Sequence, residues 1–329
     1  MKIDIHSHVY PTKYLDMLSK LGKLERDAAG NMVILNSEGL RRTRVTAFFS
    51  SAVFDLEKRI ESMDRFGIDK EVISVGNPWV DFLDPERSVD LARVVNHELS
   101  KMVQKYPDRF IGLAVLPLNN MHKALDVLDT ATKELELKGV IIGSNVMGKY
   151  PDAPEFQPLY ERAAQLDVPI FLHPISSREI DALKDYDYLI PGLEFPFDTT
   201  RAVSRLIFSG VLEKNPNLKL IVAHLGGTLP YLSGRLDVIY DKFSDCKKYI
   251  NKKPSEYLKK IYYDIIGYSK PALTCAYELL GPEPLLFGTD YPFAIGDRRK
   301  IIESVQRMSI QEKEKAEIFS ENAIRLLNI

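Results

Sequence analysis

The sequence predicts an α/β fold, specifically a (β/α)8 barrel of the TIM type, and three observations carry that expectation. Short apolar runs rich in β-branched residues alternate with amphipathic stretches along the chain, as βα units wound into a parallel sheet require. Eight such runs occur, nearly all apolar, the composition of strands buried on both faces. Ligand-type side chains gather where the runs end, at the face where barrels build their active sites.

The strand candidates are 2–5, ending in His6-Ser7-His8; 71–75; 110–116; 139–142; 169–172, ending in His173; 218–223, ending in His224; 261–263; and 284–287, ending in Gly288-Thr289-Asp290. Helical spacing marks the segments between them. Leu56, Ile60, Met63 and Phe66 share one face of a helix over 56–66 by their three-to-four spacing. Further helices are expected over 89–106, 123–135, 156–165, 200–213, 271–280, 299–308 and 311–327. Asp198 and Thr199 are the N-cap candidates for the helix at 200, because short polar side chains satisfy the first free amides. Two connections are long, 9–55 after strand one and 175–198 after strand five. Ordered loops of that length usually serve as lids or binding loops. A doubly wound open sheet is the competing fold, but no GxGxxG follows the first strand.

No low-complexity linker interrupts the chain, so 1–329 reads as a single domain. With 329 residues, 45% hydrophobic, 27% charged and a formal net charge of −2, the chain has the composition of a globular protein with a large core. The charge gives no reason to expect a nucleic-acid partner; Arg41, Arg42 and Arg44 are too few for such a footprint and read as a solvated loop. Cys246 and Cys275 form neither a disulfide scaffold nor a CxxC zinc pair. They fit a reducing compartment. The polar residues from Lys2 onward suit neither a signal peptide nor a membrane span. The expected location is cytoplasmic, with no membrane partner.

The histidines are the informative residues. There are six, and His6, His8, His173 and His224 sit at strand ends, whereas His97 and His122 fall in helix or loop segments and read as surface or packing residues. The period of two in His6-Ser7-His8 turns both imidazoles to one side of an extended chain. His173 from strand five and Asp290 from strand eight would converge with them above a closed barrel. Three neutral nitrogens and a carboxylate suit Zn²⁺ and also accept Mn²⁺ or Fe²⁺. An isolated HxH would be two ordinary loop histidines; the combined pattern is what makes a metal site. His224 could be a fifth ligand, a core histidine or an acid/base beside the metal. The acid/base role is favoured, because four ligands suffice and histidine titrates near neutrality. Gly226 and Gly227 after it permit close approach. The fourth strand ends without a lysine that could bridge a second metal, so one ion is expected.

These residues resemble the amidohydrolase superfamily and, within it, the amidohydrolase-2 group. The resemblance rests on the opening from Met1 to His8, on His173-Pro174, on the stretches 218–227 and 231–237, and on Gly288-Thr289-Asp290-Tyr291-Pro292-Phe293. It keeps order and spacing over almost the whole chain. It implies His6, His8, His173 and Asp290 as ligands and His224 as the residue that activates a metal-bound water. Arg235 matches an arginine that, in a decarboxylase of the group, reaches into the neighbouring subunit to grip a substrate carboxylate, which implies a homodimer; the alternative is a helix-surface arginine. Phe293 would line the substrate pocket, or else be a core aromatic. Two features depart from the pattern. A substrate-binding arginine expected after strand one is replaced by Ala47, with Arg44 or Arg42 as substitutes, and a tryptophan-bearing segment after strand five is replaced by 192–197. The implied reaction is nonoxidative decarboxylation of an unsaturated or aromatic carboxylic acid, with His224 or Asp290 supplying the proton. The alternatives are hydrolysis of a lactone or related carbonyl compound, with Asp290 moving the proton, and a barrel that binds a ligand without catalysis; a catalysed substrate would be a small-molecule carboxylate.

Overall fold

Strand β1, Ile3–Val9, is buried along its whole length, so the first apolar run continues through the histidines rather than stopping before them. The computed structural model describes every residue except 27–31, 36–41, 45–50, 176–182, 184 and 187. Its described residues form two compact units, Met1–Ile141 with Gly288–Lys300, and Ile142–Phe287 with Ile301–Ile329.

In the first unit, the stretch after β1 holds helix α1, Thr12–Lys20, which buries Tyr14, Leu15 and Leu18. A small antiparallel sheet follows, with strands β2 (Leu24–Arg26), β3 (Met32–Leu35) and β4 (Arg42–Arg44) paired in that order. The connection read from sequence as one long loop is therefore partly built of regular structure. Helix α2, Leu56–Phe66, starts where Asp55 Oδ1 accepts the amides of Glu57 and Lys58 and stops at Gly67, whose φ of 62° is left-handed. Such a cap is worth about 1 kcal/mol. Its buried face is Leu56, Arg59 and Met63. Arg59 is fully buried, whereas Ile60 and Phe66 are half-buried, so the face is rotated from the expected one. The cause is an ion pair described below.

Strand β5, Lys70–Val75, pairs parallel with β1, and β6, Phe110–Gly112, pairs parallel with β5. Between them runs α3, Pro85–Lys105, capped by Asp84 and begun by Pro85. The third run, expected as one strand over 110–116, divides. Leu113 still donates to Ile73, but Ala114 and Val115 form β7 against β8 (Val140–Gly143), with α4, Met121–Lys133, between. The tail beyond residue 288 returns to β1 through a parallel bridge between Tyr291 and Ser7.

In the second unit, strands β9 (Ile170–His173), β10 (Leu220–Val222), β11 (Tyr262–Asp264) and β12 (Leu285–Leu286) pair parallel, each with its predecessor. Helix α5, Gln157–Gln165, precedes β9. Helix α6, Phe195–Phe208, and the short α7, Val211–Lys214, lie between β9 and β10. A π-helical turn, Ile190–Glu194, leads directly into α6. The expected N-cap at Asp198 and Thr199 is thus corrected. The helix begins five residues before 200, because Pro196 supplies a preorganised first turn. Asp198 and Thr199 are buried inside it. Helix α8, Leu229–Lys242, follows β10. Helices α9 (Pro254–Leu258) and α10 (Lys270–Leu280) flank β11, and α11 (Arg298–Gln306), α12 (Glu312–Ala316) and α13 (Asn322–Leu327) end the chain. Parallel strands alternating with helices in chain order are the winding of an α/β barrel sheet.

Candidate metal centre

The first unit gathers three of the expected ligands. The register of β1 against β5 slips between Asp4 and Ser7, and an extra residue of this kind re-aims the side chains that follow. His6 Nε2 and His8 Nε2 then stand 2.9 Å apart. Asp290 Oδ1 lies 3.4 Å from the first and 3.3 Å from the second. Donors bound at about 2.0–2.2 Å around a tetrahedral ion stand roughly 3.3–3.6 Å from one another. The two His–Asp separations match that spacing, the 2.9 Å between the imidazole nitrogens is shorter and corresponds to the narrower ligand angle of a five-coordinate ion, and the three donors suit a divalent cation in chemistry. All three residues are buried.

Each candidate ligand is held from behind. Ser74 Oγ meets His8 Nδ1 at 3.2 Å, which turns Nε2 toward His6 and Asp290 as the nitrogen a metal could take. Asp290 sits at a left-handed φ of 59°, and its amide donates to the carbonyl of His6 at 2.8 Å. Thr289 gives both its amide and its hydroxyl to the carboxylate of Asp4. Burial, then repulsion from Glu71, pushes Asp4 up to about 7.

Beneath His8 lies a buried ion triad that sequence reasoning did not find. Arg59 Nη1 contacts Glu71 Oε2 at 2.6 Å, and Arg298 contacts Glu71 Oε1. Arg59 also donates to the His8 carbonyl and to Ser7 Oγ. Tyr291 lies under both guanidiniums, 3.5 Å from that of Arg298 and 5.0 Å from that of Arg59. Burial alone would raise Glu71, but Arg298 and Arg59 outweigh it and hold the carboxyl below its usual range. The signal was a glutamate inside the buried run of β5, since a charge there demands a partner.

The second unit carries His173 and His224. His173 closes β9, and its Nδ1 lies 2.8 Å from the carbonyl of Pro174. A proton on Nδ1 leaves the lone pair on Nε2, the atom a metal could take. His224 follows β10 with a φ of 56°. Its ring centroid is 5.4 Å from that of His173, and the Phe195 ring lies nearly parallel to it at 6.5 Å. The turn is fixed by Asp264, whose carboxylate accepts the amide of Leu225. Gly227 is required here, because a Cβ would come within 2.1 Å of the Pro196 carbonyl and the φ is 63°.

The remaining residues singled out in the sequence are dispersed. Phe293 is half-buried with its ring 5.1 Å from that of His8. Arg235 is exposed on α8, one turn from the exposed Tyr231. The side chains of Arg42 and Arg44, together with Arg41 and Ala47, lie outside the described residues. His97 and His122 are exposed on α3 and α4.

Parallel strands that carry histidines and an acid at their ends define a metal-dependent enzyme of the α/β-barrel class. The chain belongs to the amidohydrolase family, whose sequence model matches residues 3–329. It is 31% identical to the 2-amino-3-carboxymuconate-6-semialdehyde decarboxylase of Dictyostelium discoideum, over 100% of this chain and 92% of that protein. Among solved structures it is similar to 5-carboxyvanillate decarboxylase from Sphingomonas paucimobilis, with a TM-score of 0.87, 25% identity and coverage of 100% and 99% of the two chains. It is also similar to a dihydroxybenzoic acid decarboxylase from a Polaromonas strain, solved with bound manganese and the inhibitor 2-nitroresorcinol (TM-score 0.83, 26% identity, 99% and 96% coverage). The fold is accordingly a (β/α)8 barrel.

Proposed function

We propose that the protein is a metal-dependent nonoxidative decarboxylase of an unsaturated or aromatic carboxylic acid. The observation that carries the reading is the convergence of His6, His8 and Asp290 on one point, in a chain similar to several decarboxylases. One divalent ion, Zn²⁺ or Mn²⁺, would be held by His6, His8, His173 and Asp290, each buried and each offering one ligand atom. Bound there, the ion supplies Lewis acidity that polarises a substrate oxygen and fixes its orientation.

The chain's own residues would do the rest. His224, or Asp290, delivers a proton to the carbon that bears the carboxylate. The carbon–carbon bond then breaks, its electron pair returns to the conjugated system, and CO₂ leaves. One proton enters the product for each CO₂ released. Phe195 and the turn at Leu225 hold His224 in its orientation. Phe293, beside His8, would flank the substrate, and Arg44 or Arg42 would meet a substrate carboxylate.

Arg235 would grip a carboxylate in the second subunit of a homodimer, as a bidentate partner; Tyr231 and Val238, exposed at 82% and 56%, stand on the same helix face. Sedimentation velocity of the purified protein checks the dimer. The whole chain, 1–329, would act as one catalytic domain. A cytoplasmic location fits the free Cys246 and Cys275. Among the described residues, no helix is long and apolar enough to cross a membrane.

The test is turnover of a panel of hydroxybenzoates and carboxymuconate semialdehydes, followed by loss of substrate absorbance. Metal-loaded protein should consume at least one member, and chelated protein none. Turnover that is indifferent to chelation would overturn the reading.

A further inference from the structure

Ser144 follows β8 and touches the backbone on both sides of Pro174, the residue after His173. Its amide donates to the carbonyl of His173 at 2.9 Å. Its hydroxyl oxygen accepts the amide of Ile175 at 3.0 Å. The same hydroxyl donates its proton to the carboxylate of Asp198, in the first turn of α6. Ser144 and Asp198 are both fully buried.

This arrangement is costly in isolation. A carboxylate loses its hydration on burial, and the bond from the Ser144 hydroxyl, the charge of Arg201 and the Ile175 amide offset only part of that loss. Burial pushes Asp198 up to about 6 against the Ser144 bond. Among the described residues, Arg201 stands at the limit of ion pairing with Asp198, at 4.0 Å. Among the described residues, Asp198 Oδ1 and the Thr199 hydroxyl have no hydrogen-bond partner. A hydrophobic side chain would pack at the start of α6 at lower cost. What the acid accomplishes is to fix the direction of one hydroxyl: with its proton committed to Asp198, Ser144 Oγ must present a lone pair to Ile175.

We infer that Ser144 and Asp198 are positioning residues for the metal centre, which lock the backbone of His173–Ile175 so that the His173 imidazole is held ready to ligate. The lock works at three points. Ser144 holds the carbonyl of His173 and the amide of Ile175, and the carbonyl of Pro174 between them meets His173 Nδ1. Rotation of the imidazole would break that contact, and rotation of the peptide would break one of the Ser144 contacts. Partners of this kind, one shell out from a ligand, typically change metal affinity 10–100-fold when removed. The inference rests on the reading of His173 as a ligand.

The experiment measures the affinity of purified, full-length protein for Mn²⁺ and Zn²⁺ by competition with a chromophoric chelator. Wild type, Ser144→Ala, Asp198→Asn and His173→Asn are compared, with the thermal midpoint of each metal-free form recorded beside it. Asp198→Asn keeps the shape of the side chain, so it decides the matter if Ser144→Ala does not fold. The expected result is a loss of affinity of about tenfold or more in Ser144→Ala and Asp198→Asn, with turnover restored toward wild type by excess metal. A purely architectural role would lower the metal-free midpoint and leave affinity within twofold of wild type, and that result overturns the inference. If His173→Asn binds metal as tightly as wild type, the ligand reading itself fails and the inference falls with it. If His173→Asn loses the metal while the other two variants retain it, the inference alone fails.

Discussion

Glu71→Gln removes the negative charge from between two buried guanidiniums while keeping the shape of the side chain. Arg59 and Glu71 are fully buried and Arg298 is 3% exposed, so solvent cannot supply the missing counter-charge. Removing one member of a buried ion pair costs about 3–5 kcal/mol. An unfolding entropy of about 2.1 cal/mol/K per residue amounts to roughly 0.7 kcal/mol/K for 329 residues, so the thermal midpoint should fall by about 4–7 °C. The assay is thermal unfolding by circular dichroism of the metal-loaded protein at low and moderate salt. Salt should change the difference little, because buried charges are poorly screened. Arg59 also donates to the carbonyl of His8, so the variant should release its metal to a chelator faster than wild type. A midpoint shift under about 1 °C would refute the claim that the triad braces β1 and α2, since it would correspond to well under 1 kcal/mol by the same conversion.

Three further outcomes are expected. His224→Asn should keep its metal and lose turnover by at least about 100-fold, the contribution of a positioned acid/base; loss of the metal would instead make His224 a ligand. Gly227→Ala should cost on the order of 1–3 kcal/mol for the strained backbone alone, and more for the contact with Pro196, visible as a lower midpoint together with reduced turnover. Asp81 is pushed up to about 7 by burial, against the bond it accepts from the Leu118 amide. An acid raised in this way contributes fully below its ordinary value of 3.8 and loses that contribution as pH rises through about 7. Asp81→Asn should therefore flatten the midpoint-against-pH curve between pH 4 and 8, by up to about 1.4 kcal/mol per pH unit; parallel curves for the two proteins would contradict this.

The fold was legible because a parallel sheet leaves long apolar runs, and those runs survive in the chain as β1, β5 and β8–β12. The buried group of His6, His8, His173 and Asp290 was legible because histidines are scarce and fall where the runs end. Other features are local trades that periodicity does not record. Arg59 lies on the buried face of α2 because Glu71, twelve residues later, sits inside β5; an apolar-face count places Ile60 there instead. The start of α3 was readable in Asp84-Pro85, a cap followed by a first-turn proline, yet the apolar pattern draws the eye to Val89. Asp198 looked like a cap because caps favour short acids. In the folded chain it is a buried acid aimed at Ser144, a pairing across 54 positions that no local signal announces. The small sheet of β2, β3 and β4 was hidden by its brevity, since strands of three or four residues carry no readable period.

The most direct test of the central claim follows a substrate labelled with ¹³C in its carboxylate, incubated in D₂O with metal-loaded protein. Decarboxylation should release one ¹³CO₂ per product and place deuterium on the carbon that bore the carboxylate, and chelation should stop both. Turnover in which the label stays in an acid product, with no ¹³CO₂, would contradict the account and point to hydrolysis.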